Sequence, residues 1–179
     1  AKELGIDLSG ITDVILTHNH PDHTGGLLTL RRALSAANPA ALSRAHVAPG
    51  IFWSRPGPGG ETNPMVAVRA QYVAEGGQFI EHARPEEVFP GVWLTGPVPR
   101  PNAERNWSRI NQVRTPSGAL VEDTVPEDQS VVFDTARGLV LLSGCGHAGL
   151  VNTVELARAT LRNAPLYAAL GGFHLFALD

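Results

Sequence analysis

The sequence predicts an α/β fold, and three observations carry that prediction. The apolar run Val14, Ile15 and Leu16 reads as a buried strand. It leads through Thr24-Gly25-Gly26 into a helical pattern with Leu27, Leu30, Leu34 and Ala37 on one face. Residues 139–143 repeat the arrangement: an apolar strand, a glycine-rich turn, then a helical pattern with Leu150, Val154, Ala157 and Leu161 along one face. Residues 130–134 and 138–143, split by Thr135-Ala136-Arg137, read as a hairpin, so the second strand-to-helix unit belongs to a larger sheet.

The remaining elements follow in chain order. Residues 44–47 and 79–82 read as brief strands, residues 91–95 as another and residues 166–170 as a last one. Between the first two lies PGPGGETNP (56–64), whose glycines and prolines sustain neither helix nor strand, so it is a loop or hairpin tip. Residues 97–128 are rich in Pro, Asn and charge, the composition of a functional lid or a disordered insert. With 179 residues and 43% hydrophobic content the chain can bury one sizeable core, which predicts a single domain over residues 1–179. A net charge of −3 gives no electrostatic case for nucleic acid or an anionic membrane surface. One cysteine precludes an internal disulfide, and no apolar run approaches the roughly 20 residues of a membrane helix. A cytoplasmic location and a small-molecule substrate are expected, with the oligomeric state left open.

The stretch THNHPDH (17–23) holds three of the seven histidines. Neutral imidazole suits borderline metals such as zinc, and a carboxylate suits a second coordination position. In an extended segment residues two apart point to the same side, so His18 and His20 can grip one ion. Asp22 and His23, past Pro21, sit where the chain turns and can face a second. A strand-to-helix junction is where α/β proteins place ligands.

His18-Asn19-His20-Pro21-Asp22-His23 resembles the HxHxDH signature of the metallo-β-lactamase fold superfamily. LLSGCGHAGLVNTV (141–154), GGFHL (171–175), VWLTGPVPR (92–100) and Glu127-Asp128-Gln129 are similar to the subgroup called 7,8-dihydropterin-6-methyl-4-(β-D-ribofuranosyl)aminobenzene-5′-phosphate synthase. The resemblance implies an αββα sandwich. Relatives carry further strands before the motif and this chain starts at Ala1 only 17 residues upstream of it, so the sandwich is expected to be truncated at its N-terminus. It also implies a ligand set: His18, His20 and His147 for one metal, and Asp22, His23 and His174 for the other. One or two Zn²⁺ ions are expected, with Mn²⁺ or Fe²⁺ as alternatives.

Other residues allow competing readings. Gly144-Cys145-Gly146-His147-Ala148-Gly149 fits a dinucleotide-binding GxGxxG between strand and helix. The next strand, however, ends in Gly171-Gly172-Phe173-His174 rather than in the acidic residue that would bind ribose. The glycines are better explained as letting the backbone pass close to a metal centre, with His147 projecting into it. Many hydrolases of the superfamily bridge their two ions with an acid, yet the only acid between His147 and His174 is Glu155, inside a helix. Cys145 stands at the strand end that could supply a bridge; the alternative, slightly favoured, is a small buried residue. His46 reads as a half-buried strand residue rather than a substrate contact, His82 as exposed, and Arg100 and Asn102 as solvated loop residues rather than anion contacts.

The chemistry expected from this set is hydrolysis, or a related metal-assisted transfer, of a small ester, phosphoester or pterin-type substrate by metal-bound hydroxide. Zinc lowers the pKa of bound water to about 7, and no Ser or Cys nucleophile with a triad partner is evident. Asp22 is the expected catalytic residue, holding a metal and orienting the attacking water. A di-iron oxidoreductase and a non-catalytic metal-binding fragment are the alternatives.

Overall fold

The computed structural model describes residues 2–175. Two sheets organise it. The first is parallel, in the order β1-β2-β5, from β1 (Asp13–Ile15), β2 (Arg44–Val47) and β5 (Gln78–Glu81). The second is mixed, in the order β12-β11-β10-β7-β6, from β6 (Glu86–Phe89), β7 (Val92–Leu94), β10 (Ser130–Thr135), β11 (Gly138–Ser143) and β12 (Leu166–Gly171). β10 and β11 form the expected hairpin, in register from Ser130–Ser143 to Thr135–Gly138, and β11 pairs parallel with β12.

Helices α1 (Pro21–Thr24), α2 (Leu27–Ser35) and α3 (Pro64–Ala74) accompany the first sheet, and α4 (Leu150–Thr160) the second. Alternate residues of β2 decide which side the helices cover. Ala45 and Val47 join Leu16, Leu27, Ile51, Met65 and Tyr72 in one buried cluster, while His46 points the other way. Val132, Leu139 and Leu141 form the second cluster with Ala157 and Ala164, and Leu150, Val154 and Leu161 pack against it as the 3.6-residue period requires. The result is the α/β sandwich predicted, with helices outside the sheets.

The structure departs from the sequence pattern at three places. The buried face of α2 is set by Leu27 and Arg31, whereas Leu30 is 42% exposed and Ala37 lies beyond the helix. Arg31 is tolerated inside because its guanidinium donates to the carbonyls of Pro39, Ala41 and Glu75. α3 was not anticipated. Its start is specified locally, by Asn63 accepting from the Met65 N–H and by Pro64 in the first turn. Residues 97–128 are not a disordered insert: they contain the hairpin of β8 (Gln112–Arg114) and β9 (Leu120–Glu122), and bury Val113, Asp123, Glu127 and Asp128. PGPGGETNP does form a hairpin tip, with β3 (Pro56–Gly57) paired to β4 (Gly60–Glu61).

Candidate metal centre

The C-terminal ends of β1 and β11 open on the same cleft. β1 ends at Ile15, and His18 and Asn19 lie in a bend, so a loop and not strand alternation brings His18 and His20 together. Their rings meet edge-on with centroids 4.6 Å apart, and His18 Nε2 lies 3.1 Å from His20 Nδ1. Asp22 and His23 occupy the single turn of α1, their side chains 3.3 Å apart. After β11 the chain passes through Cys145 to His147, whose ring centroid is 4.8 Å from those of both His18 and His20. His174, after β12, brings its ring to 4.5 Å from that of His147. The motif loop, the His147 loop and the His174 loop are therefore neighbours although remote in sequence; His20 and His174 fall in neither of the two groups whose ligand atoms all lie within 4.8 Å of one another.

His147 shows how its ring is oriented. It is 1% exposed, its Nδ1 faces the backbone carbonyl of Asn106, and its Nε2 is buried without a hydrogen-bond partner. A carbonyl only accepts, so Nδ1 must carry the proton and Nε2 must present a lone pair. That is the form in which imidazole binds a metal, with the second nitrogen anchored by an outer partner. Asn106 is itself buried and donates from Nδ2 to the carbonyls of Gly146 and Phe173, tying the His147 and His174 loops together. Asp128 adds a further anchor, accepting from the Ala148 N–H.

Burial sets the protonation of these groups. Desolvation, with the neighbouring His147, pushes His18 down to about 2; desolvation takes His147 to about 4 and lowers His20. His18, His20 and His147 are thus held neutral at physiological pH, as coordination requires. Burial also raises the Cys145 thiol, and lifts the Asp128 carboxyl to about 7. His18, Cys145 and His147 offer ligand atoms within 4.8 Å of one another, as do Asp22, His23 and Cys145. Nitrogen, sulfur and carboxylate donors in this array fit a divalent ion of zinc type.

Beside the histidines a buried ion network supports the motif loop. Arg55 Nε donates to Asp123 Oδ2 at 2.6 Å and Nη2 to Glu127 Oε2 at 2.7 Å, while Glu127 Oε1 accepts from the Asn19 N–H at 3.2 Å. Burial works against the guanidinium charge, but Glu127 and Asp123 outweigh it and raise Arg55. A cavity of about 470 Å³ adjoins His20, walled by Asn19, Thr62, Asn111 and Gln112 with Ile110 and the prolines of the β3–β4 hairpin.

A sequence model of the metallo-β-lactamase superfamily matches residues 1–158. The chain belongs to this superfamily. A curated relative, 7,8-dihydropterin-6-methyl-4-(β-D-ribofuranosyl)-aminobenzene-5′-phosphate synthase of Methanocaldococcus jannaschii, is 29% identical over 99% of the chain and 61% of its own length. An uncharacterized protein of the same organism, MJ0448, is 31% identical over 51% of the chain. Among solved structures Tm1679, described as a metal-dependent hydrolase of the β-lactamase superfamily, superposes with a TM-score of 0.75 at 26% identity, covering 100% of this chain and 62% of that one. The chain thus spans about three fifths of the length of these two full-coverage relatives.

Within this metallo-β-lactamase domain the secondary candidates fall elsewhere. His82, expected to be exposed, is 3% exposed: its Nε2 meets His46 Nδ1 at 2.9 Å and its Nδ1 meets Glu86 Oε2 at 2.8 Å. His46 is buried rather than half-buried, with Nε2 at 2.9 Å from Asp13 Oδ1. Arg100 is not solvated: it donates to the carbonyls of Thr124 and Val125 and stacks on Trp107. Asn102 bonds Asn152 and Glu155 on α4. Asn106, Arg55 and Asp123 escaped the sequence reading, because each acts through partners far away in sequence.

Proposed function

We propose that this chain is a metal-dependent hydrolase, or a related metal-assisted transferase, acting on a small ester, phosphoester or pterin-type substrate. The observation that carries the reading is His147, a buried imidazole held by the Asn106 carbonyl with its Nε2 unpartnered and its ring beside that of His18. His18, His20 and His147 would hold one ion, and Asp22, His23 and His174 a second. Zn²⁺ is the first candidate and Mn²⁺ or Fe²⁺ the alternatives. When bound, such an ion supplies a Lewis acid and an acidified water at neutral pH.

The chain's own groups do the rest. Asp22 is 72% exposed at the mouth of the cleft, where its carboxylate can orient the attacking water and accept its proton. The cavity beside His20 has Arg55 among its lining residues, but that guanidinium is committed to Asp123 and Glu127. Recognition there falls to the amides of Asn19, Asn111 and Gln112, groups that suit a neutral ligand rich in nitrogen and oxygen. The pterin in the name of the methanogen relative is of that chemistry.

The test is a screen of phosphodiesters, phosphomonoesters, lactones, a β-lactam and reduced pterin conjugates with added Zn²⁺ or Mn²⁺. Metal-dependent turnover that falls about 10²-fold or more in Asp22→Asn at saturating metal is expected. Turnover at the parent rate in that variant would show Asp22 to be dispensable and refute the mechanism.

A further inference from the structure

The sulfur of Cys145 has no place in the ligand set above, and its surroundings give it one. It lies 3.1 Å from His23 Nε2. It is the one residue common to both donor groups, His18–Cys145–His147 and Asp22–His23–Cys145, in each of which the ligand atoms lie within 4.8 Å of one another. The first group contains the unpartnered, buried Nε2 of His147. The acid that could otherwise stand between two ions is absent from the later segment. Glu155 is on α4 and bonded to Asn102, and Asp128 spends one oxygen on the Ala148 N–H and falls in neither group.

The backbone explains why the sulfur is held there. Gly144 runs so close to the motif loop that a Cβ would collide with Thr17 Oγ1, the hydroxyl that meets His18 Nδ1. Gly146 has φ +62°, and its Cβ would stand 3.1 Å from the Gly172 carbonyl in the His174 loop. Cys145 is therefore pinned between the loops that carry the other donors, by two glycines that nothing larger could replace without separating them.

We propose that Cys145 is a metal ligand whose thiolate is shared between the two halves of the centre, in the position where an acidic bridge would stand. This rests on the metal-dependent reading above. On loading, the S–H bond breaks, the proton leaves to solvent and sulfur donates its electron pair to the ion, as thiolate ligands do. A bridging sulfur also favours softer ions, zinc above manganese.

Cobalt(II) added to the metal-stripped protein reports sulfur ligation directly, through a thiolate-to-cobalt charge-transfer absorption in the near ultraviolet. The proposal expects that band in the parent protein and its loss in Cys145→Ser, which keeps the volume and, by circular dichroism, the fold. Since the chain has one cysteine, thiol titration gives a second readout: Zn²⁺ should slow modification of Cys145 by at least about tenfold. Cobalt bound without the band, or a thiol equally reactive with and without zinc, would overturn the proposal while leaving the hydrolase reading intact. A protein that binds no cobalt at all would overturn both.

Discussion

Replacing Arg55 with Met removes the cation of the buried network while keeping much of its apolar stem. The side chain is 6% exposed and its carboxylate partners 5% and 0%. It makes three contacts to Asp123 and Glu127, at 2.6, 3.3 and 2.7 Å, and donates to the carbonyls of Gly50 and Trp53. Its loss leaves two like charges buried together. Breaking such a pair from one side costs about 3–5 kcal/mol, which for a chain of this size lowers the melting temperature by roughly 6–20 °C. Part of the loss should return in acid. Burial already raises the Glu127 carboxyl with Arg55 present, and without the cation it rises further. A raised carboxyl contributes stability that is complete below its unfolded value, near pH 4.3, and disappears as the pH climbs through the folded one. Melting followed by circular dichroism at pH 7.5 and 5.0 should show the gap between variant and parent narrowing at pH 5.0. A variant that melts within about 2 °C of the parent at both pH values would refute the argument. So would one whose deficit widens in acid.

Other outcomes follow from the same contacts. Asn106→Ala keeps the carbonyl that faces His147 Nδ1 but removes the Nδ2 bonds that tie the Gly146 and Phe173 loops together, and should weaken Zn²⁺ binding about 10–100-fold in a chelator competition; unchanged affinity would show the Asn106 clamp to be incidental. Gly144→Ala forces the Thr17 loop away at a cost of about 1–3 kcal/mol, and urea unfolding should register that loss together with weaker metal binding. His82→Ala should destabilise the fold by cutting the links to His46 and Glu86 yet leave the metal content per chain unchanged. The metal-free protein should lose stability from about pH 6.5 downward. His18 and His147 are depressed, so their contribution is complete above the unfolded value and is lost as the pH falls toward about 4 for His147 and about 2 for His18. Asp128, raised to about 7, and Glu127, also raised, work in the opposite sense, and the three depressed histidines, His20 included, are expected to outweigh them. A urea midpoint that rises between pH 7 and 4.5 would contradict this balance.

The parts of the fold legible in the sequence were those whose signal is local. β2 and β11 fall at the bounds read from their apolar runs, and α4 buries the stripe its period marks. α2 was recognised but its face was misjudged, since the pattern hid Arg31, a charged residue made buriable by three carbonyls contributed from elsewhere. α3 was missed because PMVAVRAQYVA mixes β-branched and aromatic residues with alanine, although Asn63-Pro64 was a readable start signal. The histidines stood out by chemistry alone, and the structure gathers them. What surrounds them was not legible. Asn106, Asp123 and Arg55 sit in stretches whose composition reads as loop, and they matter chiefly through bonds across 40 to 72 positions of chain. His82 and Arg100 were misplaced for the same reason, their partners being supplied by other strands and loops.

One metal centre, assembled from the motif loop and the two later histidine loops, underlies every role proposed for this chain. Elemental analysis of the dialysed protein, zinc-loaded, tests it most directly in three forms: parent, His18→Ala and His147→Ala. Each substitution should lower the bound metal by at least one ion per chain while circular dichroism shows the fold retained. Equal metal content in all three would contradict the centre described here.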